Sequence, residues 1–267
     1  MRPADRHTEI VKLVHKRGEV SVDDLADILS VSRETIRRDL SQLDADGRIR
    51  KFHGGARLAQ PVPADSQGEG PFALRMAENL SAKREIARVA SELFPKGQSL
   101  FIDTGTTTQI LADVLADVEP LVIITNSTKI AATVSANGEH TVFLIGGEYE
   151  ADACENLGPL AIEQIRKFRA RHVVLTVAAV DETMVMDFNL RETEVARAMI
   201  EQAEEVTILA DSSKFGKRGL FEVASLSAVT RLVTDVPPPR HLAQAMSDAG
   251  IRVIVASAIP MAGLPRP

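Results

Sequence analysis

The chain has little cysteine and few aromatic residues that carry a polar group. Its 267 residues include one cysteine, one tyrosine and no tryptophan. The single cysteine, Cys154, cannot form a disulfide within the chain, which excludes a disulfide framework and a cysteine-rich zinc site. We interpret Cys154 as a small buried hydrophobic residue rather than a nucleophile. The lack of disulfides predicts a reducing, cytoplasmic location.

Long hydrophobic runs and an excess of basic residues are also lacking. No window approaches the ~18 consecutive apolar residues of a membrane span, and the N-terminal residues lack a signal-peptide core, so no membrane partner is expected. The six histidines have no metal-ligand spacing, so we expect no metal and no cofactor. With 31 Lys and Arg against 37 Asp and Glu, the net charge of −6 argues against nucleic-acid binding through bulk basicity.

The remaining composition is that of a globular protein, with 45% hydrophobic and 25% charged residues. Residues 59–71 contain three prolines and two glycines and have little to bury, which is typical of a linker. We therefore predict an N-terminal domain over residues 1–58, a linker over 59–75, a larger domain over 76–258 and a flexible tail over 259–267.

The larger domain alternates short apolar strands with amphipathic helices. Strands are predicted at residues 99–102, 121–125, 141–145, 172–177, 206–210, 231–234 and 252–256. Helices between them are predicted at 82–94, 107–115, 160–168 and 191–203. This alternation predicts an α/β fold with a mostly parallel sheet, in which ligands bind at the carboxyl ends of the strands.

The N-terminal domain has three short amphipathic segments, with Ser21 and Ser32 placed as helix N-caps for the second and third. The interval between the last two segments, Ser30-Val31-Ser32, leaves room only for a tight turn, which predicts a helix-turn-helix. Residues 46–57 follow as a turn and a glycine-containing β-ribbon with five basic side chains, the wing of a winged helix. Residues 1–58 carry 12 basic and 10 acidic residues, so their net charge is +2 and that of the remainder is −8.

The third segment presents a cationic face when Ile36, Leu40 and Leu43 turn inward. Arginines on such a face can pair with guanine edges in the major groove or with phosphates, although a merely solvated helix face is the alternative. Residues 19–57, centred on the segment VSRETIRRDL and ending in HGGA, resemble the DNA-binding domain of DeoR-family transcriptional regulators. The resemblance implies DNA contacts by Ser32, Arg33, Thr35, Arg37, Arg38, Lys51 and His53.

The turn after the first strand of the larger domain is suited to a phosphate group. Residues 103–108 read DTGTTT and lead directly into a helix, so backbone N–H groups, a glycine and hydroxyls come together. The turn matches neither a P-loop nor a dinucleotide-binding fingerprint, and plain helix capping by the threonines remains an alternative. The predicted phosphate-binding residues are Asp103, Thr104, Gly105, Thr106, Thr107 and Thr108.

Other strand ends deliver polar groups to the same edge of the predicted sheet. Asn126 and Asp181 could bond sugar hydroxyls, Lys214 could supply a charge for a phosphate, and Gly146 and Gly147 follow the third strand. Each of these residues alone could equally belong to a turn or be an exposed ion.

The resemblance extends over about residues 6–256 and is strongest to the family's glycerol-3-phosphate regulon repressors. The segments that carry it are FIDTGTT, the pair Asp187-Phe188 ahead of Glu192, SKFG and TDVPPP. It implies a winged helix-turn-helix followed by an effector domain similar to the ribose-5-phosphate isomerase-like fold, with Glu192 in the effector site. The implied function is a homodimeric or homotetrameric repressor of a carbohydrate or polyol catabolic operon, released from double-stranded operator DNA by a small phosphate ester such as glycerol 3-phosphate. The family often has glycine just before the aspartate of the fourth strand end, where this sequence reads Ala179-Val180-Asp181, so a pentose phosphate stays open as the effector. The sequence does not show the direction in which ligand binding and DNA binding are coupled, so an activating or dual action stays open as well.

The alternative from another class is a sugar-phosphate isomerase-like enzyme. Asp181 and Glu182 could provide carboxylates for acid–base chemistry, but residues 183–190 contain no lysine where that resemblance would require one. We therefore expect no catalytic residues and no enzymatic activity.

Overall fold

The computed structural model describes residues 3–17, 19–45, 49–52, 54–57 and 70–256. The chain divides into two compact units, Met1–Leu74 and Arg75–Pro267. Most of the predicted linker and the whole predicted tail lie outside the described residues, while residues 72–75 of that linker are helical. Among the helices that the structure describes, none has the length and apolar character needed to cross a bilayer.

The first unit is a winged helix-turn-helix. Its helices are α1 (Pro3–Arg17), α2 (Val22–Leu29) and α3 (Arg33–Ala45), and its strands are β1 (Glu19–Ser21), β2 (Arg50–Phe52) and β3 (Gly55–Arg57). The strands form an antiparallel sheet in the order β1-β3-β2. The predicted helix-turn-helix and wing are confirmed, whereas the three-residue strand β1 was not predicted because it carries no alternating pattern of its own.

Local side-chain chemistry explains where α2 and α3 begin. The Ser21 hydroxyl accepts a hydrogen bond from the Asp24 amide at 3.0 Å, and the Ser32 hydroxyl accepts one from the Thr35 amide at 3.1 Å. Both serines therefore cap helix N-termini as predicted. Between the helices, Ser30 has a φ of 53°, a left-handed conformation that ends α2 and turns the chain.

The remainder of the described chain alternates helices and strands. The helices are α4 (Phe72–Ala77), α5 (Leu80–Ser91), α6 (Thr106–Leu115), α7 (Thr128–Val134), α8 (Pro159–Ile165), α9 (Leu190–Glu201) and α10 (Arg240–Asp248). The strands are β4 (Ser99–Ile102), β5 (Val122–Thr125), β6 (Thr141–Leu144), β7 (Glu148–Glu150), β8 (Glu155–Leu157), β9 (Ala170–Thr176), β10 (Ala179–Val180), β11 (Met184–Asp187), β12 (Ala203–Leu209), β13 (Phe221–Ser225), β14 (Arg231–Thr234) and β15 (Arg252–Val255).

Seven of these strands form one parallel sheet in the order β15-β14-β12-β9-β4-β5-β6. The predicted parallel α/β architecture is thus confirmed. The chain fills the sheet outward from β4 through β5 to β6, and then returns to β9 and fills the other side. The order therefore reverses between β4 and β9, and in open sheets of this type ligands bind at the carboxyl ends of the strands at such a switch point.

Alternate residues of the sheet strands enter two separate hydrophobic cores. Leu100 and Ile102 of β4 pack with residues of α5, α6 and α7, while Phe101 packs with residues of α8, α9 and α10. Because successive side chains of a strand point to opposite faces, both faces of the sheet are covered by helices. Burial on both faces is the reason that the strands read as continuous apolar runs.

Two small antiparallel sheets were not predicted. One has the order β10-β11-β13, and the other is the hairpin of β7 and β8. Met184, Val185 and Met186, for which no strand was predicted, belong to β11. The prediction that Cys154 is buried is wrong, since it is partly exposed in the hairpin turn with a left-handed φ of 57°.

Candidate DNA-binding surface and effector site

Helix α3 presents its charged side chains to solvent because its apolar side chains fill the core of the first unit. Ile36, Leu40 and Leu43 are fully buried in that core. Arg33, Arg37 and Arg38 are exposed. The structure therefore places the three predicted DNA-contacting arginines on one side of the helix and the packing residues on the other.

The exposed arginines of α3 make only weak interactions within the protein. Arg33 pairs with Asp23 at 2.7 Å and Arg37 lies 3.7 Å from Glu34, in both cases between side chains that are more than half exposed. Such exposed pairs contribute little to stability and exchange readily for another anion. Arg38 has no hydrogen-bond or ion-pair partner within the described part of the chain.

The remaining predicted DNA contacts are at the start of α3 and in the wing. The Ser32 hydroxyl caps α3 and lies 2.9 Å from the Thr35 hydroxyl, so both side chains also have a local structural role. Lys51 of β2 is exposed and donates from Nζ to the Ser41 hydroxyl of α3 at 2.7 Å, which brings the wing beside the helix. His53 lies outside the described residues.

A buried ion pair that the sequence did not suggest joins α1 to α3. Arg6 donates to the two carboxylate oxygens of Asp39 at 2.6 and 3.1 Å, and His7 Nε2 lies 3.0 Å from the same carboxylate. Burial raises the pKa of Asp39, but the hydrogen bonds and charges of Arg6 and His7 outweigh it, and the net shift is downward. Asp39 follows Arg38 directly, so this contact holds α3, which carries the predicted DNA contacts, against α1.

In the larger domain, the turn between β4 and α6 lies at the switch point of the sheet. Thr106, Thr107 and Thr108 are buried in the first turn of α6. Gly105 packs so closely against the end of β9 that a Cβ there would lie 1.9 Å from the Thr176 hydroxyl oxygen. A residue with a side chain therefore cannot occupy this position unless the turn or the Thr176 side chain moves.

Asp103 begins this turn as a buried acid. Its Oδ1 accepts a hydrogen bond from the Thr104 amide at 2.8 Å. Burial is the main cause that raises the pKa of Asp103 to about 8, and the negative charges of Glu192 and Asp187 add to it. Glu192, a predicted site residue in the first turn of α9, is thus close enough to Asp103 for their charges to interact.

Asn126, another predicted site residue, connects the turn to a second buried acid. The Thr104 hydroxyl donates to Asn126 Oδ1 at 3.2 Å, and Asn126 Nδ2 donates to Glu155 Oε2 at 3.3 Å. Burial raises the pKa of Glu155 to about 8, with a further contribution from the charge of Asp103. Glu155 was missed because it lies in a three-residue strand that no sequence pattern identifies, and because Glu148, Glu150 and Asp152 precede it, so nothing marks it out among neighbouring acids.

Three predicted effector residues have partners that account for them structurally. The backbone of Gly146 bonds the Gln164 side chain through both its N–H and its carbonyl, at 3.1 and 3.3 Å. A Cβ on Gly147 would lie 2.6 Å from the Leu157 carbonyl oxygen, so this glycine permits a close backbone approach.

Asp181, the third of these residues, closes its own turn. Its Oδ1 accepts hydrogen bonds from the amide and hydroxyl of Thr183 at 2.8 and 2.7 Å and from the Met184 amide at 3.0 Å. Burial raises the pKa of Asp181, but these bonds outweigh it and lower the pKa overall. A sugar hydroxyl at Asp181 therefore has to share the carboxylate with the turn.

Lys214 lies after β12 beside a buried lysine that sequence reasoning missed. Lys83, in the first turn of α5, is 4% exposed and donates from Nζ to the Arg75 carbonyl. Burial is the main cause that lowers the pKa of Lys83; the charge of Asp211 opposes it and the positive charge of Lys214 reinforces it. An amphipathic helix offers no sequence signal that one of its lysines is buried.

The described residues contain no group of three or more His, Cys, Asp or Glu side chains arranged to hold a metal ion. At the carboxyl edge of the sheet the fold instead places the N-terminus of α6, the lysines Lys83 and Lys214, and two buried acids, Asp103 and Glu155, whose pKa values are raised. A helix N-terminus and lysines favour a phosphate, while buried carboxyl and amide groups suit hydroxyls.

Two family models match the chain. The DeoR-like helix-turn-helix domain matches residues 6–62, and the DeoR C terminal sensor domain matches residues 78–236. The glycerol-3-phosphate regulon repressor of Escherichia coli K12 is 34% identical over 95% of this chain and 99% of that protein. The transcriptional repressor CsqR of the same organism is 32% identical over 94% of each chain.

Among solved structures, ribose 5-phosphate isomerase A from Methanocaldococcus jannaschii is 16% identical and has a TM-score of 0.39, with 53% of this chain and 56% of that chain covered. The expected resemblances to the DeoR family and to its glycerol-3-phosphate regulon repressors are confirmed by the family models and relatives.

Proposed function

Because this chain belongs to the DeoR family of transcriptional regulators, we propose that it represses a carbohydrate or polyol catabolic operon and leaves its operator when a small phosphate ester binds. That it is a DNA-binding regulator rather than an enzyme follows from the helix-turn-helix and from relatives that are named repressors. The identity of the effector, the residues that bind it and the oligomeric state are our proposals.

The DNA-binding role is assigned to α3 and the wing. Arg37 and Arg38 are exposed on α3, and Lys51 stands beside the same helix, so one surface offers both guanine-pairing and phosphate-pairing groups. The arginines are bound to the protein only by exposed, exchangeable contacts. Bidentate arginine–guanine contacts discriminate against a wrong base by about 1–3 kcal/mol each.

The observation that carries the effector role is the β4–α6 turn at the sheet's switch point. The turn combines the N-terminus of α6 with Gly105, which has no room for a side chain, and with buried threonines. A phosphate is stabilised there by backbone N–H groups and the helix dipole. Lys214, with Lys83 beside it, supplies positive charge at the same edge of the sheet.

We further propose that the protein acts as a homodimer or homotetramer. One α3 reads too few base pairs to select an operator, and paired helices read half-sites spaced by one helical turn or a multiple of it. For the phosphate ester to release the operator, it has to bind the DNA-incompetent arrangement more tightly than the competent one.

The experiment has a DNA arm and a ligand arm. The operator is first selected from a pool of random duplexes with the full chain, and binding is then measured by fluorescence anisotropy. Arg37→Ala or Arg38→Ala should weaken operator binding at least about tenfold and leave ligand binding unchanged, since each removes a groove contact. Lys12→Ala, which removes an exposed lysine of α1, is the control.

The ligand arm is a thermal-shift screen of sugar and polyol phosphates, including glycerol 3-phosphate, against their unphosphorylated parents. A specific ligand raises the melting temperature by mass action and should release the operator. Lys214→Glu should bind operator but respond poorly to the ligand, whereas the exposed Lys217→Glu in the same loop should respond normally. Normal release of Lys214→Glu, or tight operator binding by both arginine variants, would contradict the assignment.

A further inference from the structure

We infer that the Glu155 carboxyl group recognises a hydroxyl group of the effector and is the residue that distinguishes a polyol or sugar phosphate from a plain alkyl phosphate. The inference rests on the proposed function, because it takes the β4–α6 turn as the phosphate site. Glu155 belongs to the β7–β8 hairpin and lies outside every residue set that the sequence predicted.

The carboxyl group of Glu155 has one oxygen that the fold leaves without a hydrogen bond. Glu155 is 1% exposed, and its Oε2 accepts from Asn126 Nδ2 at 3.3 Å. Its Oε1 is also buried and has no hydrogen-bond partner within the described part of the chain. Buried polar atoms without a partner are rare and destabilising, so an oxygen left in this state is available to a bound molecule.

The position of Glu155 matches the hydroxyl end of a small phosphate ester. Asn126 joins Glu155 to Thr104, and Thr104 lies in the turn proposed to hold the phosphate. Asn126 thus links the Glu155 carboxyl group to the phosphate turn, and the Thr104 hydroxyl also acts directly on Glu155, where it lowers the pKa. The inference is that one small ligand places its phosphate at the turn and a hydroxyl at Glu155.

The chemistry of the surroundings favours a neutral hydroxyl over a second anion. Burial is the main cause that raises the pKa values of Asp103 and Glu155 to about 8; the charges of Glu192 and Asp187 add to it at Asp103, and the charge of Asp103 adds to it at Glu155. A hydroxyl group both donates and accepts, so it can bond Glu155 whether the carboxyl is protonated or ionised. A second anion at the same place would be disfavoured by burial and by the charges of Glu192 and Asp187, which already raise the pKa of Asp103.

The test is isothermal titration calorimetry of the full chain with glycerol 3-phosphate, propyl phosphate and 3-phosphoglycerate. Wild type should bind glycerol 3-phosphate at least about tenfold more tightly than either of the others, because propyl phosphate leaves Oε1 unpaired and 3-phosphoglycerate adds a carboxylate. Glu155→Met, which removes both oxygens at similar length, should bind glycerol 3-phosphate and propyl phosphate about equally.

Two matched variants separate recognition from packing. Glu155→Gln keeps a hydrogen-bonding group and should retain most of the preference for glycerol 3-phosphate. Glu150→Met replaces the exposed glutamate that pairs with Glu155 across the hairpin, and it should leave the preference unchanged. Inorganic phosphate should bind wild type and all three variants alike.

A spectroscopic measurement covers the case in which Glu155→Met does not fold. At pH 6, below the raised pKa values of about 8, both Asp103 and Glu155 are protonated, and either ester places its phosphate near Asp103. Infrared difference spectra should therefore show one shifted carboxyl band with glycerol 3-phosphate that propyl phosphate does not produce. Glu155→Gln should lack that band.

The possible failures are distinguishable. If Glu155→Met keeps the preference, or if both esters give the same carboxyl spectrum, the inference is wrong and the phosphate site stands. If none of the phosphate compounds binds wild type, the proposed effector function fails, and this inference fails with it.

Discussion

At the scale of single residues, the two units use buried carboxyl groups in opposite ways. Asp39 is surrounded by Arg6 and His7, which lower its pKa and keep it charged. Asp103 and Glu155 lie near other acids, and burial raises both pKa values to about 8. The first arrangement holds helices together, whereas the second leaves proton-binding groups at the proposed ligand site.

Replacing Asp39 with Asn should destabilise the winged helix-turn-helix by about 3 kcal/mol, because Arg6 is left buried without its anion. Denaturant unfolding followed by circular dichroism measures this change. Asp23→Asn is the control, since it breaks an exposed pair with Arg33 worth less than about 1 kcal/mol. Equal effects of the two substitutions would show that the Arg6–Asp39 contact does not support the fold.

The two raised pKa values make stability depend on pH. Asp103 and Glu155 titrate near 3.8 and 4.5 when exposed in the unfolded chain and near 8 in the folded protein. Between these values the folded state holds protons that the unfolded state has released, so stability should fall as the pH rises from about 5 to about 8. The melting temperature of Glu155→Gln should fall less steeply than that of wild type or of Glu150→Gln, and parallel curves would contradict the assignment.

At the scale of elements, close packing fixes the position of the β4–α6 turn, the proposed phosphate site. Gly105 has an extended φ of 175°, so its requirement for glycine comes from contact with Thr176 of β9 rather than from backbone strain. The contact holds the first turn of α6 against the switch point of the sheet. The N–H groups of that turn are therefore positioned by tertiary packing.

Gly105→Ala should weaken phosphate-ester binding at least about tenfold and destabilise the protein by about 1–3 kcal/mol, because the new Cβ overlaps the Thr176 hydroxyl. Calorimetric titration and thermal unfolding report the two effects. Gly70→Ala is a suitable control, since a Cβ there meets nothing within 4 Å. Unchanged ligand affinity in Gly105→Ala would remove the turn from the effector site.

At the scale of the whole molecule, the N-terminal 58 residues and the rest of the chain have net charges of opposite sign. Residues 1–58 have a net charge of +2 and the rest of the chain has −8. The acidic part disfavours indiscriminate binding to DNA, so operator binding should depend on a limited number of placed phosphate contacts and should fall with added salt.

Lys51→Ala should reduce the slope of log affinity against log salt concentration by about 1 per protomer, because one phosphate contact is lost. Operator titrations at several potassium chloride concentrations measure the slope. Lys96→Ala, an exposed lysine of the larger domain, should leave the slope as in wild type. An unchanged slope in Lys51→Ala would exclude the wing lysine from the phosphate contacts.

Local patterns in the sequence were sufficient to predict the winged helix-turn-helix and the parallel sheet. Serine caps, a 3.6-residue apolar period in α3 and continuous apolar runs in the strands each follow from a short stretch of chain, and they predicted the winged helix and the parallel sheet. The turn at residues 103–108 was identifiable because glycine and hydroxyl residues directly precede a helix. The small sheets of β7–β8 and β10-β11-β13 were missed because their strands are too short to show a period.

What the sequence by itself determined is therefore the helix-turn-helix, the seven strands of the parallel sheet, the cationic face of α3 and the presence of a phosphate-compatible turn. Only the tertiary structure decided that Glu155 lies beside Asn126 and Asp103, that Lys83 is buried near Lys214, and that Asp181 closes its own turn. The physical reason is that burial, pKa and hydrogen-bond satisfaction depend on neighbours distant along the chain. Helix and strand formation depends largely on neighbours within a few residues.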